Sequence, residues 1–191
     1  MSDTRFTDAE AAVRTLLRCI GEDPERPELA ATPKRVVRML QSAFSGYGED
    51  PSAAVGRLLP LTEVERAPVF LRNIPFESYC EHHMVPFTGR AHIAYMPRDG
   101  LVGIGGILRL LKACTARLQL QERLTAAIAD HLQQAAGAAG TAVMLEAVHR
   151  CTRADGTLPD APPVITRRFT GVFDDNRELR DEFFRLCTAA H

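Results

Sequence analysis

The sequence has no excess of charge of either sign. Its 23 basic and 24 acidic side chains leave a formal net charge of −1. A chain so balanced carries no global basic field, which excludes coating nucleic acid through overall charge. No apolar run approaches the roughly 20 residues that a membrane span needs. Met1–Phe6 show no basic stretch leading into an apolar one, so no secretory signal is expected. There is no internal repeat, and no low-complexity segment beyond the alanine-rich Ala135–Ala142. The cysteines are five, an odd number, scattered at Cys19, Cys80, Cys114, Cys151 and Cys187. That pattern argues against a disulfide framework and for a reducing cytoplasm, where thiols are free, buried or metal-bound.

What is present has ordinary globular proportions. Of 191 residues, 46% are hydrophobic and 25% charged, which suits one domain with a helical appendage. Residues 7–20 have helical spacing through Val13, Leu16, Leu17 and Ile20, with Thr7 and Glu10 at capping-box distance. Thr32-Pro33 opens a second helix, with Thr as cap and Pro at the first helical position. Residues 49–67 read as a linker. From residue 68 the period changes. Strands are expected over 69–76, 87–95, 141–149 and 164–173, and helices over 104–117 and around Leu124, Ile128 and Leu132. The expected fold class is α+β, an antiparallel sheet with helices on one face. The expected regions are 1–67, helical, and 68–191, carrying the chemistry, together forming one structural unit.

The densest chemical signal is Ser78-Tyr79-Cys80-Glu81-His82-His83. A thiolate and an imidazole three residues apart on a turn can face one metal ion. Two ligands are too few, and His149-Arg150-Cys151 offers more. Cys80, His83 and Cys151 would give zinc three ligands and one open position. His82 and His149 would then lie near the metal without binding it, and imidazoles suit proton transfer. The rival reading is a structural zinc closed by four ligands.

Cys80-Glu81-His82-His83, then Gln119-Leu120-Gln121-Glu122-Arg123-Leu124-Thr125, then His149-Arg150-Cys151, resemble the GTP cyclohydrolase I family in order and separation. Thr32-Pro33-Lys34-Arg35-Val36 resembles that family's Thr-Pro-x-Arg helix start. The resemblance spans about residues 10–187. It implies the tunnelling fold, assembled as pentamers usually paired into a decamer, with active sites at subunit interfaces. It also implies a zinc-dependent hydrolysis. Water activated by the metal attacks C8 of guanine, formate leaves, and GTP becomes dihydroneopterin triphosphate. On this resemblance Cys80, His83 and Cys151 hold zinc, and His82 and His149 handle protons. Glu122 reads the guanine edge, Gln121 contacts the base or ribose, and Arg35 and Arg109 contact phosphate. The plainer alternatives are a solvated Glu122 paired with Arg123 and an ordinary surface Arg109.

The phosphate end departs from the family. A Ser-Lys pair usually precedes the arginine matching Arg109; here it is Gly105-Gly106. An arginine usually follows the His-x-Cys element; here Asp155-Gly156 stands in its place. Arg150, Arg153, Arg167 and Arg168 would have to compensate. Three readings follow: a GTP cyclohydrolase I with a rewired phosphate site, a related zinc cyclohydrolase acting on a guanine compound with fewer phosphates or an altered ribose or base, and a non-catalytic paralogue that binds zinc or a purine.

Overall fold

The structure is a computed structural model, and it describes residues 3–62, 67–154 and 162–188. It divides into two compact units, the first ending at Ser45 and the second starting at Gly46. The division falls ahead of the change in hydrophobic period at residue 68.

The first unit is a pair of helices, α1 (Asp3–Cys19) and α2 (Thr32–Ala43). Val13 on α1 and Val37 on α2 are buried, as are Pro24 and Pro33. α1 starts earlier than Thr7, because nothing in residues 3–6 breaks a helix. Thr7 therefore lies inside the helix and not at its cap. In α2 the flanking position is taken by Ala31, which makes no side-chain cap. Thr32 is the first helical residue, and Pro33 presets the backbone of the first turn.

The second unit is built on one five-stranded sheet. Its strands are β1 (Val69–Cys80), β2 (Pro86–Met96), β3 (Leu118–Gln119), β4 (Gly140–His149) and β5 (Val164–Gly171), in the order β3-β1-β2-β4-β5. The four long strands are antiparallel. β3, two residues long, adds a parallel pairing against Tyr79 and Cys80. Helices α4 (Ile104–Thr115) and α5 (Gln121–Ala136) share the main core with the sheet through Ile107, Leu110, Leu124, Ile128 and Leu132. On β2 the alternating Phe87, Ala91, Ile93 and Tyr95 face that core and are fully buried. The period-2 pattern in the sequence marks this face.

The opposite face is not bare. Ala94, Ala142 and Met144 form a second core with Phe173 and Phe183. These two phenylalanines come from α7 (Val172–Asp175) and α8 (Arg177–Thr188). Helices therefore lie on both faces of the sheet, where the sequence pattern suggested one. α8 has readable signals: Leu179 and Phe183 are one turn apart, and the Asn176 carboxamide accepts from the Glu178 and Leu179 amides. Of the segment 49–67, Asp50 caps the short α3 (Pro51–Ala54) by accepting from the Ser52 amide. No helix among the described residues is long and apolar enough to cross a membrane.

Candidate metal centre and its surroundings

Three strand ends meet at one end of the sheet. β1 finishes at Cys80, β2 begins at Pro86, and β4 finishes at His149, opposite Phe87. Between β1 and β2 the chain makes a tight turn. The Met84 amide donates to the Cys80 carbonyl at 2.8 Å, and the Cys80 amide donates to the Val85 carbonyl at 3.0 Å. Met84 takes a left-handed conformation to close it, with φ of 54°. α6 (Cys151–Ala154) starts two residues after His149. The result is that the ligand atoms of Cys80, His83 and Cys151 all lie within 4.8 Å of one another. Cys80 is buried, Cys151 half-buried and His83 exposed.

The donor set fits a metal ion. Burial, and then the neighbouring Cys80, push the Cys151 thiol above its ordinary range. Two adjacent sulfurs that resist joint ionisation do ionise when a cation sits between them. Two sulfurs and one imidazole suit a tetrahedral ion of borderline softness and leave its fourth position open. Among the described residues this is the group of three or more Cys, His, Asp or Glu that could hold a metal. All five cysteines are free of disulfides.

His149 stands beside this centre. Its ring stacks on Phe87 at 4.6 Å between centroids and 9° between planes. Its Nε2 is 2.8 Å from Oε1 of Gln121. Burial lowers its pKa from the ordinary histidine value, and the Glu122 carboxylate opposes that shift. Glu122 itself is exposed, in the first turn of α5, where the helix dipole favours an anion. Gln121 is 1% exposed. Its Nε2 donates to the Val164 carbonyl at 2.9 Å, the Leu145 carbonyl at 3.2 Å and the Thr166 hydroxyl at 3.1 Å. His82 is exposed, its ring edge-on to His83 at 6.3 Å. Glu81 pairs with Arg123 at 3.3 Å, tying the ligand turn to α5. Phe87, Thr166 and the Glu81–Arg123 pair are contributors that sequence reasoning left without a role. Only Glu81 and Arg123 carry a local signal, through opposite charge within two recognised motifs.

The expected phosphate residues belong to different elements. Arg35 lies on α2, in the first unit. Arg109 lies on α4, and its guanidinium donates to the carbonyls of Ala54 at 3.0 Å and Val55 at 3.3 Å. It satisfies the end of α3, a use the sequence does not reveal. Gly106 packs against the same segment. A Cβ there would lie 2.4 Å from the Val55 carbonyl oxygen, so no lysine fits at 106 unless Val55 moves. Arg168 pairs with Asp130 at 3.6 Å, and Arg167 lies over the Phe184 ring at 5.6 Å. Both sit opposite Met144 and Val143, well along β4 from His149. Within one chain they add no charge at the centre. Arg150 is exposed beside it. The Arg153 side chain and Asp155 lie outside the described residues.

The fold and the centre define a tunnelling-fold α+β protein with three side chains at the strand ends that could hold a metal ion. The family described as GTP cyclohydrolase I matches residues 9–188. The GTP cyclohydrolase 1 of Maricaulis maris is 44% identical over 183 residues, 96% of this chain and 89% of that relative. That of Hyphomonas neptunium is 43% identical over 94% of this chain and 87% of its own length. That of Rickettsia bellii is 40% identical over 95% and 94%. The chain belongs to the GTP cyclohydrolase I family, a family of oligomeric hydrolases.

Proposed function

We propose that the chain opens the guanine imidazole ring hydrolytically at C8 and releases formate, converting GTP to 7,8-dihydroneopterin triphosphate with zinc as its metal. The observation that carries this reading is the convergence of Cys80, His83 and Cys151 beside a held His149. Cys80, His83 and Cys151 would be the zinc ligands. When bound, zinc supplies a water acidic enough to act as a nucleophile near neutral pH. His149 and His82 exchange protons with the purine ring and the departing groups. Glu122, ionised at a helix start, accepts hydrogen bonds from the guanine N–H edge. Arg35 is retained as a phosphate contact.

A second reading is favoured by one specific observation. Arg109 is engaged by α3, and Gly106 has no room for a side chain. The substrate would then be a guanine compound with fewer phosphates or an altered ribose or base. A hydrogen bond to a charged group contributes roughly 1.5–3 kcal/mol, so losing two would weaken triphosphate binding by some 10²–10⁴-fold. Formate release from GTP, GMP and guanosine by the zinc-loaded protein separates the readings, with products identified by mass. Turnover of GTP to dihydroneopterin triphosphate supports the first. Turnover only of the shorter compounds supports the second, and none on any purine refutes both.

Assembly follows the family in this reading, as a homopentamer or a decamer with active sites between subunits. The support is geometric. Among the described residues β5 pairs only with β4, and the first half of β1 has only β2 beside it, so both sheet edges offer backbone groups to another copy. Five free thiols suit the reducing cytoplasm. The balanced charge, and described helices none of which is long and apolar enough to cross a membrane, suit a protein with neither nucleic acid nor membrane as partner.

A further inference from the structure

Gln121 is expected from the resemblance to touch the substrate, yet both ends of its carboxamide are used inside the protein. The hydrogen-bond network fixes which end is which. Nε2 sits against the carbonyl oxygens of Val164 and Leu145, and a carbonyl can only accept. A flipped amide would set its own oxygen against both. The hydroxyls agree with this orientation. Thr125 donates its single proton to the Gln121 carbonyl at 2.7 Å. Thr166, 2.6 Å from the Thr125 hydroxyl, must then donate to it. The Thr166 oxygen is left to accept from Gln121 Nε2 at 3.1 Å. Oε1 of Gln121 is therefore the group facing His149, and an amide oxygen can only accept.

We infer that Gln121 is a positioning residue for His149: it holds the proton of the neutral imidazole on Nε2 and leaves Nδ1 as the bare nitrogen. Nδ1 has no hydrogen-bond partner among the described residues. Phe87 stacks flat on one face of the ring. Gln121 is 1% exposed, so no bulk water replaces its oxygen as acceptor. One ring nitrogen is thus spent on the scaffold and the other is free to exchange a proton. The anchor is itself buried and drawn from three elements, since its acceptors lie on β4 and β5 while it opens α5. A reacting group held this way keeps one orientation and one tautomer through a reaction cycle.

The kinetic consequence rests on the proposed function, whereas the state of the ring does not. The test is a nitrogen-15 spectrum of the full chain, zinc-loaded and ring-labelled at histidine, recorded above neutral pH. His149 is assigned by its absence from His149→Asn. The expected result is a protonated Nε2 and a bare Nδ1 for His149. A protonated Nδ1 overturns the inference. In Gln121→Met, which keeps the length and loses both polar ends, the two tautomers are expected to mix. That variant is also expected to lower kcat on GTP by about 10²-fold with KM unchanged. A raised KM with unchanged kcat would place Gln121 on the substrate and overturn the inference. Where Gln121→Met does not fold, the spectrum of the native chain still decides. If the native ring carries its proton on Nε2 but GTP yields no formate, the GTP reading fails and the inference stands.

Discussion

Cys80 and His83 share one turn, but a two-ligand site binds metal weakly, and Cys151 arrives from the far end of β4. A third ligand would therefore decide occupancy. Cys151→Ala is expected to abolish stoichiometric zinc binding, read by metal analysis after dialysis; one zinc per chain in that variant would refute the ligand assignment. The turn itself depends on Met84, whose φ of 54° is unusual for a side chain with a Cβ. Met84→Gly is expected to be neutral or stabilising. Met84→Val is expected to cost about 1–2 kcal/mol, since left-handed backbone is hardest on a β-branched residue. Urea unfolding of the two variants checks the difference in sign.

At the scale of elements, the junction of α3 and α4 is where this chain has its own character. Two adjacent glycines occupy different surroundings. A Cβ on Gly106 would meet the Val55 carbonyl at 2.4 Å, whereas one on Gly105 would meet only the flexible end of Arg109 at 3.3 Å. Gly106→Ala is expected to lower stability by about 1–3 kcal/mol, as overpacking does, because the atom in the way is backbone. Gly105→Ala is expected to leave stability unchanged or to raise it, because alanine favours helix. Thermal unfolding of both reports whether the seam is as tight as its geometry. Equal effects would mean that α3 shifts away from α4 at little cost. A helix start that packs this closely on its neighbour has lost the space in which side chains would reach for an anion.

For the molecule as a whole, the sheet carries a buried polar group far from the centre. His92 is 3% exposed, and its Nδ1 has no hydrogen-bond partner among the described residues. Burial lowers its pKa below 6.5; Glu146 on β4 opposes the shift and Arg72 on β1 adds to it. The unfolded chain therefore takes up this proton first as pH falls. The stabilising difference is full above the unfolded value near 6.5 and is lost progressively as pH drops below it. His92→Leu is expected to show a smaller fall in urea midpoint between about pH 7.5 and 5.5 than the native chain. An equal fall would mean that His92 keeps its ordinary pKa in the folded state.

Much of this protein is legible in the residues alone. Alternation along Phe87, Ala91, Ile93 and Tyr95 marks the buried face of β2, and helical spacing marks α4 and α5. Both signals are local, because a side chain's direction follows from its place in the repeat. The candidate metal ligands are legible for a chemical reason: few residue types bind a cation of borderline softness, and three such residues, Cys80, His83 and Cys151, fall in two recognisable motifs. The helices covering the second face passed unread, since alternation implies one buried face and the pattern names no cover for the other. The uses of Gln121 and Arg109 were decided only by tertiary structure. A glutamine or an arginine has donors to spare in any sequence. Which acceptors receive them depends on where β4, β5 and α3 bring their carbonyls, and those carbonyls are the same in every residue type.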